Sequence, residues 1–356
     1  MKHKMIDGNN VSYVVSELSD SDAVEWDRYV DQHPEGTLFH KFAWASLIKE
    51  VLHQKPRYLK AQNSAGNIVG VLPLVNLKSV VFGNFLVSMP YFNYGGVLAD
   101  SEEVASVLVN ASTDIADKLN VSHVQYRCSS ECMTESFPVA KHKVNMILDL
   151  PESQDALGKS IGSKRRSQIK RPIREGVSHK IGGRELIDDF YEVFCINMRD
   201  LGTPVYSKKL FESIFDTFPD NTNICVVYWE GKPVSTGFLM HYKNKLEIPW
   251  ASTVRYANRI SVNMYLYWQI LSYAIEKGFK QFDFGRSTID AGTYKFKKQW
   301  GAQPQQCYWY HYVPEGKALP DLSPDNESFG LAIKIWQKLP IPITKIFGPH
   351  IVKAIP

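Results

Sequence analysis

Residues Lys280–Gly301 read KQFDFGRSTIDAGTYKFKKQWG. Phe282 and Phe284 alternate with Gln281 and Asp283, the period-two pattern of a strand with one apolar face. Gly285 ends the run, an Arg-Ser-Thr turn follows, and Asp290 or Thr293 is placed to cap a short helix bearing Tyr294, Phe296 and Trp300. Lys295, Lys297 and Lys298 crowd that helix without an acid. A strand end that meets a helix start, with Asp283, Arg286 and a lysine cluster beside it, suits an anionic ligand. The competing reading is structural: Asp283 caps a turn and the lysines are solvated.

Working outward, a long helix over about Arg259–Lys277 precedes this strand. Before it lie the strand Lys245–Ser252, the hairpin Asn223–Trp229 and Val234–Tyr242 around Glu230-Gly231-Lys232, and a helix Lys208–Phe218. The first half shows the same order. A helix Lys41–Leu52 leads to a hairpin Arg57–Gln62 and Ile68–Leu77, a strand Val80–Met89, a helix Ser101–Leu119 and a strand His123–Cys128. Gly66 and Gly70 match Gly231 and Gly237. The repeated order predicts a duplicated α/β (α+β) fold: two domains, each a mixed twisted sheet flanked by helices. The expected partition is 1–150, 151–313, and a linker, amphipathic helix and basic apolar tail over 314–356.

A chain of 356 residues exceeds one ordinary core, which agrees with two domains. The 44% hydrophobic and 22% charged content is that of a globular chain, and a formal net charge of +4 is too small to argue for nucleic acid without local clustering. Five scattered cysteines read as reduced and cytosolic, without zinc-ligand spacing, so no metal is expected. The polar amino end and the lack of a long apolar run point to a cytoplasmic location.

Local clustering does occur. Residues 163–174, SKRRSQIKRPIR, hold six cations and no acid. Ser163 can cap a helix there, with Pro172 a difficulty for its regularity. So many like charges on a few turns favour phosphate contact by Lys164, Arg165, Arg166 and Lys170 over a merely solvated face. Beyond the Pro- and Asp-rich linker, residues 329–356 join an apolar stripe to a basic tail. Docking on the protein itself is the expected outcome, and peripheral contact with the inner face of the cytoplasmic membrane is the alternative.

No G-x-S-x-G elbow, Walker loop, H-E-x-x-H or dinucleotide fingerprint occurs. Two carboxylates remain on adjacent predicted strands, Glu247 in LEIPWAS and Asp283. Side by side they would line one wall of a cleft and accept a proton from an attacking amine. The structural alternative pairs each with Arg255 or Arg286. Tyr94, Tyr206, Trp250 and Tyr294 are candidates to stack on a sugar or base, though aromatics fill cores more often.

The segments NMRDLGTPVYSKKLF, LEIPWAST, NMYLYWQILSYAIEKGFKQFDFGRS and TYKFKKQWGA resemble the FemAB-like aminoacyl/acyltransferases of the GNAT superfamily. SKRRSQIKRPIREGV and LPIPITKIFGPHIVKAIP resemble most the branch that accompanies exosortase and exopolysaccharide gene clusters. The resemblance implies two tandem GNAT-type domains. It also implies transfer of an acyl or aminoacyl group, from acyl-CoA or aminoacyl-tRNA, to an amine on a small-molecule or lipid-linked sugar. Lys41, in FHKFAW, and Arg199 and Tyr206 are the substrate-binding candidates it suggests. Arg286, Lys295 and Lys297 would join them around phosphates. One departure stands out: where a GNAT domain carries Q/R-x-x-G-x-G/A, this chain reads Arg255-Tyr256-Ala257-Asn258-Arg259-Ile260-Ser261, without glycine. Two rivals are a tRNA-dependent aminoacyltransferase of the peptidoglycan type and a non-catalytic scaffold for polysaccharide assembly.

Overall fold

The computed structural model describes residues 2–6, 12–79, 82–132, 137–319 and 327–355, with backbone alone at 2–6 and 327–329. In chain order the elements begin β1 (Lys2–Ile6), β2 (Ser12–Glu17), α1 (Ala23–Gln32), α2 (Ala43–Glu50), β3 (Lys55–Gln62), β4 (Ile68–Ser79), β5 (Gly83–Ser88) and β6 (Leu98–Ala99). They continue α3 (Glu102–Lys118), β7 (Val124–Cys128), β8 (Val139–Ala140), β9 (Lys143–Asp149), α4 (Gln154–Ser160), α5 (Gly162–Arg174), β10 (Ser178–Gly182), α6 (Ile187–Leu201) and α7 (Lys208–Thr217). Then come β11 (Thr222–Trp229), β12 (Lys232–Tyr242), β13 (Lys245–Thr253), α8 (Val262–Glu276), β14 (Gln281–Thr288), α9 (Gly292–Lys298), β15 (Gln303–Gln306), β16 (Tyr308–Tyr312), α10 (Glu327–Trp336) and α11 (Ile341–Val352).

Two sheets result. The first runs β1-β2-β3-β4-β5-β7-β16-β8 with β6 on β4; the second runs β10-β11-β12-β13-β14-β9-β15. The duplicated order holds: α2-β3-β4-β5-α3-β7 in one and α7-β11-β12-β13-α8-β14 in the other. Each has its hairpin, then one parallel pair, β5 with β7 and β13 with β14. The matched glycines do matching work. A Cβ on Gly70 would strike Val104 and Leu108 of α3, and one on Gly237 would strike Ile248 of β13 and Ile270 of α8. Each glycine lets a helix settle onto its sheet. In the second hairpin Glu230 (φ 52°) and Gly231 (φ 75°) both take the left-handed conformation that a two-residue turn of this hand requires.

The compact units are 1–143 with 306–322 and 353–356, and 144–305 with 323–352. This differs from the partition expected at 150 and 313. β9 was placed with the first half but lies between β14 and β15; β16 was placed with the second but lies between β7 and β8. Each covers the open edge of a parallel strand, which a hairpin cannot do. Buried Leu59, Leu72, Leu86, Leu108 and Tyr126 centre the first core, and Leu246, Ile248, Leu266, Ile270 and Phe282 the second. In the second unit α6 covers one sheet face, and α8, backed by α5, covers the other.

Several local expectations are corrected. α5 starts at Gly162 behind Ile161, so Ser163 lies inside it, and Pro172 sits in its last turn, where the helix ends two residues later at Arg174. Ala291, not Asp290 or Thr293, precedes α9. Cys128 and Cys132 form a disulfide where reduced thiols were expected, as the chain doubles back after β7. Cys195, Cys225 and Cys307 are free and buried. Among the described residues no helix is long and apolar enough to cross a membrane.

Candidate active site

β13 and β14 pair at three positions only, Lys245↔Gln281, Leu246↔Phe282 and Glu247↔Asp283. Beyond them β13 stays with β12 as far as Thr253 while β14 turns at Gly285, whose φ of 76° is left-handed. The parallel strands therefore part like a V, opening toward their carboxyl ends, the end where α/β sheets receive ligands. Neighbours in a ladder share a face, so the two carboxylates stand together at the apex, as the adjacency expected from sequence required. An extra β13 residue opposite Leu239, between the pairs Phe238↔Trp250 and Met240↔Glu247, keeps Trp250 and Glu247 on one face. That face is the one α6 covers: Asn197 of α6 donates to Ser252 Oγ at 3.2 Å.

Asp283 has 0% exposed surface, and its Oδ1 accepts the Gly285 N–H at 2.7 Å. It pins the bend at which β14 departs, which is the structural reading offered for it from sequence. An incoming amine cannot touch a side chain so enclosed. Glu247 is only partly buried. Burial first, and then the Asp283 charge, push its carboxyl well above the usual range, with Lys245 opposing. Neither acid pairs with Arg255, which engages Asp200 instead.

Lys297 reaches this apex from α9. It is 8% exposed, and its Nζ donates to the carbonyls of Gly285 (3.0 Å) and Arg286 (2.9 Å). Burial lowers its pKa to about 8, Asp283 acts to raise it, and Arg286 lowers it further. An ammonium has three protons, and two are used on these carbonyls. Ser287, on the diverging strand, is 4% exposed, and among the described residues its Oγ has no hydrogen-bond partner. A buried, unsatisfied polar atom costs about 1–3 kcal/mol and calls for a ligand or other explanation.

At the mouth of the V, Arg255–Ile260 form a six-residue 3-10 helix between β13 and α8, and Ser261 (φ 65°) takes the left-handed position where a glycine would be usual. Arg259 lies over the Trp229 ring at 4.9 Å. α5 packs on α8 and on this turn. Among the described residues, Lys164, Arg165, Arg166, Lys170, Arg171 and Arg174 have no carboxylate partner; Arg166 donates to Gly158 O at 2.8 Å.

The remaining candidates divide. Tyr206 and Trp250 meet edge to face at 6.1 Å on the α6 side. Arg286 and Lys295 are exposed beside the apex. Tyr294 is buried, with Lys298 over its ring at 5.8 Å. Arg199 is engaged by Asp200 (2.7 Å) and Leu339 O (3.3 Å). Lys41 and Tyr94 belong to the first unit. There Lys41 is held by Asp31 at 2.7 Å and Asp27 at 3.8 Å, and Tyr94 is buried. In that unit Val87↔Gln125 is the last pair of the parallel strands, so only the second unit carries the acids. Among the described residues no three His, Cys, Asp or Glu side chains gather as metal ligands.

Sequence reasoning missed Ser287 and the enclosure of Lys297. The second was legible: Tyr294, Lys297 and Trp300 recur at a spacing of three, and all three are buried.

Residues 163–298, from α5 to α9, match the acetyltransferase (GNAT) domain family. Over 164 residues the chain is 28% identical to a UDP-N-acetylmuramoylpentapeptide-lysine N(6)-alanyltransferase of Weissella viridescens, across 44% of this chain and 48% of that protein. The chain thus spans about half the length of this curated relative. Among solved structures, FemX superposes with a TM-score of 0.63 at 16% identity, covering 84% of this chain and 97% of that one. A tandem GNAT protein from the clavulanic acid biosynthesis pathway superposes with a TM-score of 0.53 at 11% identity, covering 85% and 98%. At such identities the superpositions speak for the fold, two tandem GNAT domains.

Proposed function

We propose that this chain, whose residues 163–298 match the acetyltransferase (GNAT) domain family, is a FemAB-like acyltransferase and moves an acyl or aminoacyl group onto a primary amine of a nucleotide- or lipid-linked sugar precursor, in cell-envelope or exopolysaccharide synthesis. The observation that carries this reading is the apex of the V. A partly exposed acid with a raised pKa, Glu247, is paired with Asp283, whose charge also acts on a buried ammonium, Lys297, where two parallel strands part.

In this reading the acceptor arrives as an ammonium and gives one proton to Glu247, directly or through water. The freed nitrogen attacks the carbonyl carbon of the donor ester or thioester, forming the C–N bond. The tetrahedral oxyanion is met by the third Lys297 proton and by backbone amides of the parted strands. Collapse breaks the bond to the leaving sulfur or ribose oxygen. That atom departs with a proton, and the amide remains. Asp283 positions the site: it fixes the bend and holds Lys297 charged. Arg286, Lys295 and the cations of α5 meet the phosphates of donor and acceptor.

The donor is either acyl-CoA or aminoacyl-tRNA. The second gains support from the alanyltransferase relative and from the six α5 cations, whose neutralisation a polyphosphate would supply. Native mass spectrometry of the full chain, offered acetyl-CoA, longer acyl-CoA and total charged tRNA in turn, tests this. Retention of one donor class, followed by label transfer to an amino-sugar or lysyl acceptor, is expected. A chain that retains none of them is not such an enzyme.

A further inference from the structure

We propose that the consecutive helices α10 and α11 form a surface for anionic phospholipid. Part of each helix is fixed to the second unit. Ile333 of α10 and Gln337 just beyond it sit against Gly202 at the end of α6, and Gly348 of α11 lies on the Val205 backbone. Thr344, Gly348 and Val352, four residues apart, form the buried stripe of α11. Docking on the protein, as expected from sequence, is therefore half of the account.

The other side is unlike a soluble surface. On the α10 wheel Leu331, Lys334 and Ile335 fall away from Ile333, which faces Gly202. Leu331, Ile335, Ile346 and Phe347 are each more than half exposed, and Ile343 is exposed as well. So five large apolar side chains stand in solvent within 17 positions, and exposed apolar patches of this kind mark interaction surfaces. Lysines share the α10 face, and no Asp or Glu occurs from 328 to 356. An apolar face rimmed by lysines, with a single acid, Glu327, at the start of α10, fits a bilayer interface carrying anionic headgroups. A second copy of this chain fits poorly, because a twofold contact would set Lys334 and Lys338 against their own copies.

The test is co-sedimentation of the full chain with vesicles of phosphatidylglycerol and phosphatidylcholine, and with phosphatidylcholine alone. Sedimentation velocity without lipid accompanies it. Binding to the anionic vesicles, weaker with added salt and on neutral vesicles, is expected. Ile346→Ser with Phe347→Ser should weaken it by roughly tenfold or more, and Lys334→Glu with Lys338→Glu should abolish the preference for anionic lipid. Circular dichroism melts check that the variants fold. The proposal falls if the wild-type chain stays in the supernatant. It falls also if both variants bind as the wild type does, or if these residues instead mediate a lipid-free dimer.

Discussion

Glu247 and Asp283 face each other as the last pair of two parallel strands that separate immediately beyond them. Burial and the Asp283 charge raise the Glu247 pKa, so its carboxylate takes up a proton more readily than an isolated carboxylate does. Asp283 is enclosed and bound to Gly285 N–H, which leaves Glu247 as the exchangeable partner.

Replacing Glu247 by Gln should lower kcat by roughly a hundredfold with little change in KM, measured by steady-state label transfer. Unchanged kcat would remove Glu247 from the chemistry. The same variant reports on stability. A carboxyl whose folded pKa lies above its ordinary 4.5 stabilises the fold below that value and loses this contribution as pH rises through the folded-state value. Melting curves should therefore show the Glu247→Gln variant gaining on the wild type as pH rises above 4.5.

Lys297→Met should reduce turnover by about a hundredfold, and Lys297→Arg should fail to restore it, because a guanidinium does not fit between the Gly285 and Arg286 carbonyls as a compact ammonium does. In the wild type, loss of the ammonium proton places a falling limb in the pH–rate profile near 8. A flat profile there would separate Lys297 from the rate.

Asp283→Asn isolates the charge of Asp283 from its turn, since an amide oxygen can still accept the Gly285 N–H. The carboxylate acts to raise the Lys297 pKa, so its loss should move the falling limb below about 8 as well as lower kcat. A slower enzyme with an unmoved limb would show that Asp283 acts on the fold alone.

The duplicated order, the adjacency of the two acids and the cation-rich setting were legible from period-two alternation, hairpin glycines and charge runs, because these are local. The exchange of β9 and β16 between sheets was not: each is a short apolar strand that either sheet could take, and only the open edge decides. The disulfide was hidden because a Cys-x3-Cys spacing carries no compartment of its own. Lys41 and Arg199 looked available in sequence, yet Asp31 and Asp200, distant or adjacent along the chain, engage them.

Gly348→Val should destabilise the chain by about 1–3 kcal/mol, because the new side chain meets Val205 backbone atoms 2.8 Å away. Limited proteolysis should then cut first near α11. A variant as resistant as the wild type would show that α11 is not seated there.

Hydrogen exchange with and without the retained donor addresses the central claim directly. Donor binding in the V should slow exchange at residues 248–253 of β13 and 284–288 of β14, and leave β3 and β4 unchanged. Protection confined to the first unit, with the parted strands unaffected, would contradict the account.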